Sequence, residues 1–109
     1  MTAGTRLQEE RLHPEVDLAL ARKIVLDVLA GYAVRVFLFG SRAKGEADRV
    51  SDIDIAIWPQ ENIPLGVFAQ IREALEESDI LYHVDLVDLS ETNPAFRERV
   101  LREGIPWKE

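Results

Sequence analysis

Residues 34–58 read VRVFLFGSRAKGEADRVSDIDIAIW, and the fold turns on how this stretch divides. Val34 to Phe39 is short, β-branched and aromatic, the composition of a buried strand. It runs directly into Gly40-Ser41, which is followed by the polar stretch Arg42–Ser51. Asp52 to Trp58 then alternates without a break. Ile53, Ile55 and Ile57 face one way, and Asp52, Asp54, Ala56 and Trp58 the other. Pro59 is expected to end this second strand.

Working outward, His13-Pro14 opens a helix: proline suits the first turn, and Glu15 and Asp17 favour its positive end. Leu20, Ile24 and Val28 recur at helical spacing with Ala21, Val25 and Leu29 beside them, and Gly31 is a good stop. A second helix is predicted from about Leu65 to Glu77, with Phe68, Ile71 and Leu75 on one face. Leu81 to Asp88 (LYHVDLVD) reads as a third strand. Asn93-Pro94 is an N-cap followed by a proline at the first helical position, so a last helix runs through Phe96, Val100 and Leu101 to Gly104. The order is helix, strand, short turn or helix, strand, helix, strand, helix. This predicts an α+β (mixed α/β) fold, with a small sheet of at least three strands covered by helices.

The chain has 109 residues, 47% of them apolar and 30% charged, which suits one small globular domain spanning 1–109, with residues 1–12 a frayed helix or tail. Thirteen basic against twenty acidic residues give −7, the wrong sign for a general nucleic-acid binder, whose affinity comes from neutralising phosphates. With no cysteine there are no disulfides, zinc–thiolate sites or thiol nucleophiles. No apolar run approaches the ~20 residues needed to cross a bilayer, so no membrane role is expected. Met1 to Gln8 lack the apolar core of a signal peptide, and a cytoplasmic location is the expectation.

Asp52 and Asp54, two apart on a strand, project from one face with side-chain origins roughly 7 Å apart. Like charges held together are costly unless something positive sits between them, and carboxylates are hard ligands suited to magnesium or manganese. Strand parity allows only one of Asp85 and Asp88 to join them. Asp85 is chosen because it sits mid-strand, where a charge needs a reason. Glycine straight after a buried strand permits a tight turn and close approach of a ligand, and the amides of such a turn make an anion site. Arg42 and Lys44 add positive charge nearby. A nucleoside triphosphate with magnesium suits a phosphate cradle beside a carboxylate set. Gly-Ser alone is usually a turn and Asp-x-Asp alone an exposed edge; their joint spacing with Asp85 is what carries weight. Rival motifs fail: a P-loop needs Lys and Ser/Thr where Glu46 and Ala47 stand, and an EF-hand needs Asp or Asn and then Gly where Ala56 and Ile57 stand. His83, Trp58, Tyr82 and the Arg97-Glu98-Arg99 run read more simply as structural or solvated residues.

Gly40-Ser41, ten residues, then Asp52-Ile53-Asp54, with a later VDLVDL strand, resembles the signature of the DNA polymerase beta-like nucleotidyltransferases. The version GSRAKG…SDIDIAI in so short a chain is similar to the minimal nucleotidyltransferases. The resemblance implies a nucleotidyltransferase fold in which Gly40 and Ser41 hold the triphosphate of the nucleotide; the charge of Arg42 beside them reads as a further phosphate contact. Asp52, Asp54 and Asp85 would ligate two magnesium ions, roughly 4 Å apart, that clamp the attacking oxygen and the leaving pyrophosphate. It implies transfer of AMP from ATP to a hydroxyl. In small members of this kind the acceptor is a tyrosine of a HEPN ribonuclease toxin, which the nucleotidyltransferase silences as an antitoxin. Two other readings stand beside it: transfer to a small hydroxylated molecule, and a non-catalytic module that masks its partner.

Overall fold

The computed structural model describes residues 13–48 and 50–109. The tail expected over residues 1–12 lies outside them. Helix α1 (Pro14–Val28) is followed by strand β1 (Val34–Phe39), a single helical turn α2 (Ser41–Lys44) and strand β2 (Ile53–Pro59). Helix α3 (Leu65–Glu76), strand β3 (Val84–Asp88), a 3-10 turn (Leu89–Glu91), helix α4 (Pro94–Glu103) and strand β4 (Ile105–Lys108) complete it.

The four strands form one sheet in the order β3-β2-β1-β4. β1 is antiparallel to β2 and to β4, and β2 is parallel to β3, so the sheet is mixed. The parallel step is bridged by α3, as a parallel pair requires. The alternation in β2 sorts its residues as their chemistry demands. Ile53, Ile55 and Ile57 are fully buried in the larger core with Val36 of β1, Val25 of α1 and Ile71 of α3. Ala56 faces the smaller core, where Phe37, Leu89 and Val100 are buried and Phe96 packs alongside. α1 and α3 thus cover one face of the sheet, and α4 covers part of the other. The carboxylates lie on the α4 face, beyond the end of its apolar cluster.

Several elements differ from the expectation. In α1 the deepest ridge is Ala21, Val25 and Leu29, all fully buried, whereas Leu20, Ile24 and Val28 flank it. The methyl of Ala21 lets the helix sit close to the sheet. β2 begins at Ile53 and takes in Pro59, so Asp52 precedes the strand and Pro59 is its last residue. β3 pairs only from Val84, and Leu81–His83 lead into it. Of the turn or helix expected after Gly40, the structure has a single helical turn. A fourth strand, β4, was not expected. It leaves α4 at Gly104 and pairs with β1 through Leu38↔Ile105, Phe37↔Pro106 and, across an irregularity, Val36↔Lys108. A Cβ at Gly104 would lie 2.6 Å from the Val100 carbonyl oxygen and 3.2 Å from that of Leu38. Only glycine permits so tight a return. At α4's other end the predicted N-cap is in place: Asn93 Oδ1 accepts the Phe96 N–H at 2.8 Å.

Asp17 is one acid whose role differs from a helix-end charge. It is buried, at 7% exposure, and accepts the Leu81 N–H at 2.9 Å. That bond joins α1 to the segment that leads into β3. Among the described residues no helix is long and apolar enough to cross a membrane.

Candidate functional site

The antiparallel β1–β2 pair sets the site. Its register places Phe39, the last residue of β1, opposite Asp54. Gly40 therefore turns directly over the Asp54 side chain. Its backbone has φ 78° and ψ −156°, a region essentially reserved for glycine. A Cβ there would collide with Asp54 Oδ2 and lie 3.2 Å from its Cγ. Two constraints, one conformational and one steric, thus demand glycine at the same position. Ser41 begins α2, whose amides bond back to the Gly40 carbonyl through Ala43 at 3.1 Å and Lys44 at 3.2 Å.

The parallel β2–β3 pair brings in the third carboxylate, because Asp54 is in register with Asp85. The parity argument against Asp88 has a structural counterpart. Asp88 Oδ1 is occupied by the Ser90 N–H at 2.9 Å and the Ser90 hydroxyl at 2.6 Å, capping the 3-10 turn. Asp54 is half-buried, while Asp52 and Asp85 are exposed. Burial pushes the Asp54 carboxyl above the ordinary value of 3.8, and the charges of Asp85 and then Asp52 push it further; His83 and Arg42 pull the other way. The site thus disfavours its own full ionisation and would be relieved by a cation. Among the described residues no three His, Asp or Glu side chains are gathered as a ready-made metal cluster.

Arg42 reaches away from the turn. Its Nε donates to the carbonyls of Ser51 (3.0 Å) and Asp52 (3.2 Å), and Nη2 donates to that of Ser51 as well. Its guanidinium lies 4.7 Å over the Tyr82 ring. Lys44 Nζ is 4.0 Å from Glu103, an exposed ion pair of little energetic consequence. His83, read from sequence as structural, is exposed next to Asp85's face, and its carbonyl accepts the Ile53 N–H at 3.0 Å. Trp58 shares the aspartate face but stands at the far end of β2. There Arg35 and Arg97 lie over its ring at 5.5 and 5.3 Å.

Two clefts flank the aspartates. One, of about 210 Å³, is lined by Phe39, Gly40, Lys44, Phe96 and Arg99, with the two phenylalanine rings edge to face at 5.6 Å. The other, of about 420 Å³, runs beside β3 and is lined by Arg72, Glu76, His83 and Asp85. Neither could be read from sequence, because both depend on α3 and α4 closing against distant strands.

Comparisons with known proteins agree with this geometry. Residues 23–107 match the family model described as polymerase beta, nucleotidyltransferase. A relative from Haemophilus influenzae, named "Probable protein adenylyltransferase MntA", is 38% identical over 93 residues, covering 85% of this chain and 80% of that protein. A solved structure of a minimal nucleotidyltransferase superposes with a TM-score of 0.65 at 38% identity, covering 82% of this chain and 91% of that one. A solved toxin–antitoxin structure with AMP-PNP superposes with a TM-score of 0.60 at 26% identity, covering 79% of this chain and 71% of that one. The chain belongs to the polymerase beta-type nucleotidyltransferase family.

Proposed function

We propose that this protein transfers AMP from ATP to a hydroxyl of a partner protein, a HEPN-type toxin, and so acts as its antitoxin in the cytoplasm. The observation that carries the reading is the convergence of Gly40, Asp54 and Asp85: the turn lies over one aspartate and the other is in register beside it. It is supported by the match to a protein adenylyltransferase over most of the chain and by the likeness to a toxin–antitoxin structure containing an ATP analogue.

In this reading residues 1–109 act as one catalytic unit. The amides of the Gly40–Ser41 turn bind the triphosphate, and the absence of a Cβ at Gly40 lets that turn lie against the Asp54 carboxylate. Asp52, Asp54 and Asp85 would hold magnesium, and the burial and carboxylate repulsion that together raise Asp54's pKa are the chemistry of a donor set suited to cations. When bound, magnesium offsets phosphate charge and acidifies the attacking hydroxyl. The acceptor oxygen forms a bond to the α-phosphorus, the bond to the bridging oxygen of the β-phosphate breaks, and pyrophosphate leaves. Asp85, exposed at the mouth of the larger cleft, takes the hydroxyl proton on a carboxylate oxygen. The smaller, aromatic-walled cleft beside Gly40 suits a nucleotide base, which leaves the β3 side for the acceptor.

The test uses α-labelled ATP, magnesium and a lysate of the source cells, with the Asp52→Asn/Asp54→Asn double variant as control. Label on one protein band with the wild-type chain alone is the expected result, and γ-labelled ATP should leave that band dark. Label from γ-ATP would make the reaction phosphoryl transfer. No label on any protein would sink the proposal.

A further inference from the structure

Asp52 presents a problem of position. It precedes β2, so no strand pairing fixes it, and it is exposed. The loop before it is organised around Asp48 instead: Asp48 Oδ1 accepts the Val50 N–H at 2.9 Å and the Ser51 hydroxyl at 3.2 Å. What fixes the backbone on either side of Asp52 is Arg42. It donates to the carbonyl before Asp52 and to the carbonyl of Asp52 itself, while the next amide, Ile53 N–H, is held by His83 O of the β3 approach at 3.0 Å. Both peptide planes that define the direction of the Asp52 side chain are therefore clamped.

The guanidinium is itself held. One face lies on Tyr82, which is 8% exposed and belongs to the core on the α1/α3 side of the sheet. Asp54 and Asp85 project to the opposite face. A planar fork that stacks on a ring while bonding two carbonyls is a task for arginine and not for lysine. The sequence suggested that Arg42 touches phosphate; its partners and direction suggest otherwise. We infer that Arg42 is a positioning residue that sets Asp52 relative to the Gly40–Ser41 turn, joining the phosphate half of the site to its carboxylate half. Asp52's importance rests on the proposed nucleotidyl transfer; the clamp itself does not.

The test has two arms. The first is backbone hydrogen exchange on the nucleotide-free full chain, comparing wild type with Arg42→Lys and Tyr82→Leu. Lysine keeps the charge and loses the fork, whereas the Tyr82 variant removes the platform. The clamp predicts roughly tenfold faster exchange at Ile53, whose N–H is held by His83 O, in both variants, with protection in α1 and β1 preserved. Unchanged exchange at Ile53 in Arg42→Lys would overturn the inference, whatever the activity shows. Should Tyr82→Leu fail to fold, Arg42→Lys alone decides, since half-buried Arg42 is not part of the hydrophobic core.

The second arm measures AMP transfer together with affinity for an unreactive ATP analogue. Positioning predicts that Arg42→Lys lowers kcat roughly 10- to 100-fold while analogue affinity moves less than about threefold. A phosphate contact predicts the reverse: weaker analogue binding, largely restored by lysine, with kcat preserved. If the wild-type chain transfers no AMP, the proposed function fails and the exchange arm still judges the clamp.

Discussion

Replacing Asp54 by asparagine should make the metal-free protein more stable and inactive. Asp54 and Asp85 are register partners on neighbouring strands, about 5 Å apart at Cα. Two unit charges at that spacing repel by roughly 0.8 kcal/mol in water and roughly 3 kcal/mol at an effective dielectric near 20. Asp54 is half-buried and Asp85 exposed, so the lower part of that range applies, and about 1 kcal/mol is expected at moderate salt. For 109 residues the unfolding entropy is about 0.23 kcal/mol per kelvin, so Asp54→Asn should raise Tm by about 4 °C. The pH dependence follows from the direction of the shift. Burial, Asp85 and Asp52 raise the native pKa above 3.8, so the native state holds its proton more tightly than the unfolded chain. The wild-type penalty is absent below 3.8 and complete above the native value, so the gain from asparagine should be full near about pH 7.5 and shrink toward pH 4. The assay is thermal unfolding in EDTA at both pH values, paired with AMP transfer in magnesium. An unchanged or lowered Tm near pH 7.5, or an equal gain at both pH values, would refute the electrostatic account.

Other perturbations separate the remaining roles. Gly40→Ala should cost about 1–3 kcal/mol from its backbone conformation alone, lower Tm by roughly 4–12 °C, and abolish AMP transfer, because its Cβ displaces the Asp54 carboxylate. Asp85→Asn should eliminate transfer without loss of stability. Asp88→Ala should do the opposite, costing roughly 0.5–2 kcal/mol through the lost Ser90 cap while transfer persists. Asp17→Ala should destabilise by about 1–3 kcal/mol in thermal unfolding, since the Leu81 N–H loses its acceptor; Asp17→Asn, whose amide oxygen can still accept, should cost less.

Much of the fold was legible because the local patterns were strong. The isoleucines of β2 could only face a core, and their alternation placed Asp54 on the other side. Parity along β3 separated Asp85 from Asp88 without knowledge of the strand's neighbour. Asn93-Pro94 marked a helix start that the Asn93 side chain now caps. What escaped was set by distance in the chain. β4 is four residues with a proline inside, a poor strand by composition, and it exists because Gly104 lets α4 fold back onto β1. Asp17 looked like a helix-end charge because its partner, Leu81, lies 64 residues away. Arg42 reads as a phosphate contact because its neighbours in sequence are the turn residues. Its bonds to backbone carbonyls nine and ten residues on were not legible, since such contacts leave no mark on composition or periodicity.

The pairing of Phe39 with Asp54 also bears on how such a site tolerates change. Since β1 and β2 bring the two ends of the connector together, its ends are fixed by the sheet and its length is nearly free. Doubling a flexible connector costs only about 0.6 kcal/mol in closure entropy. An insertion after Glu46, ahead of the Asp48 turn, would lengthen the connector with Arg42 still seated on Ser51 and Asp52 and Gly40 still over Asp54. The spacing between the two halves of a linear signature can therefore drift while the distance between them in space does not. The connector after Glu46 becomes a natural place to graft a tag, an epitope or a recognition loop.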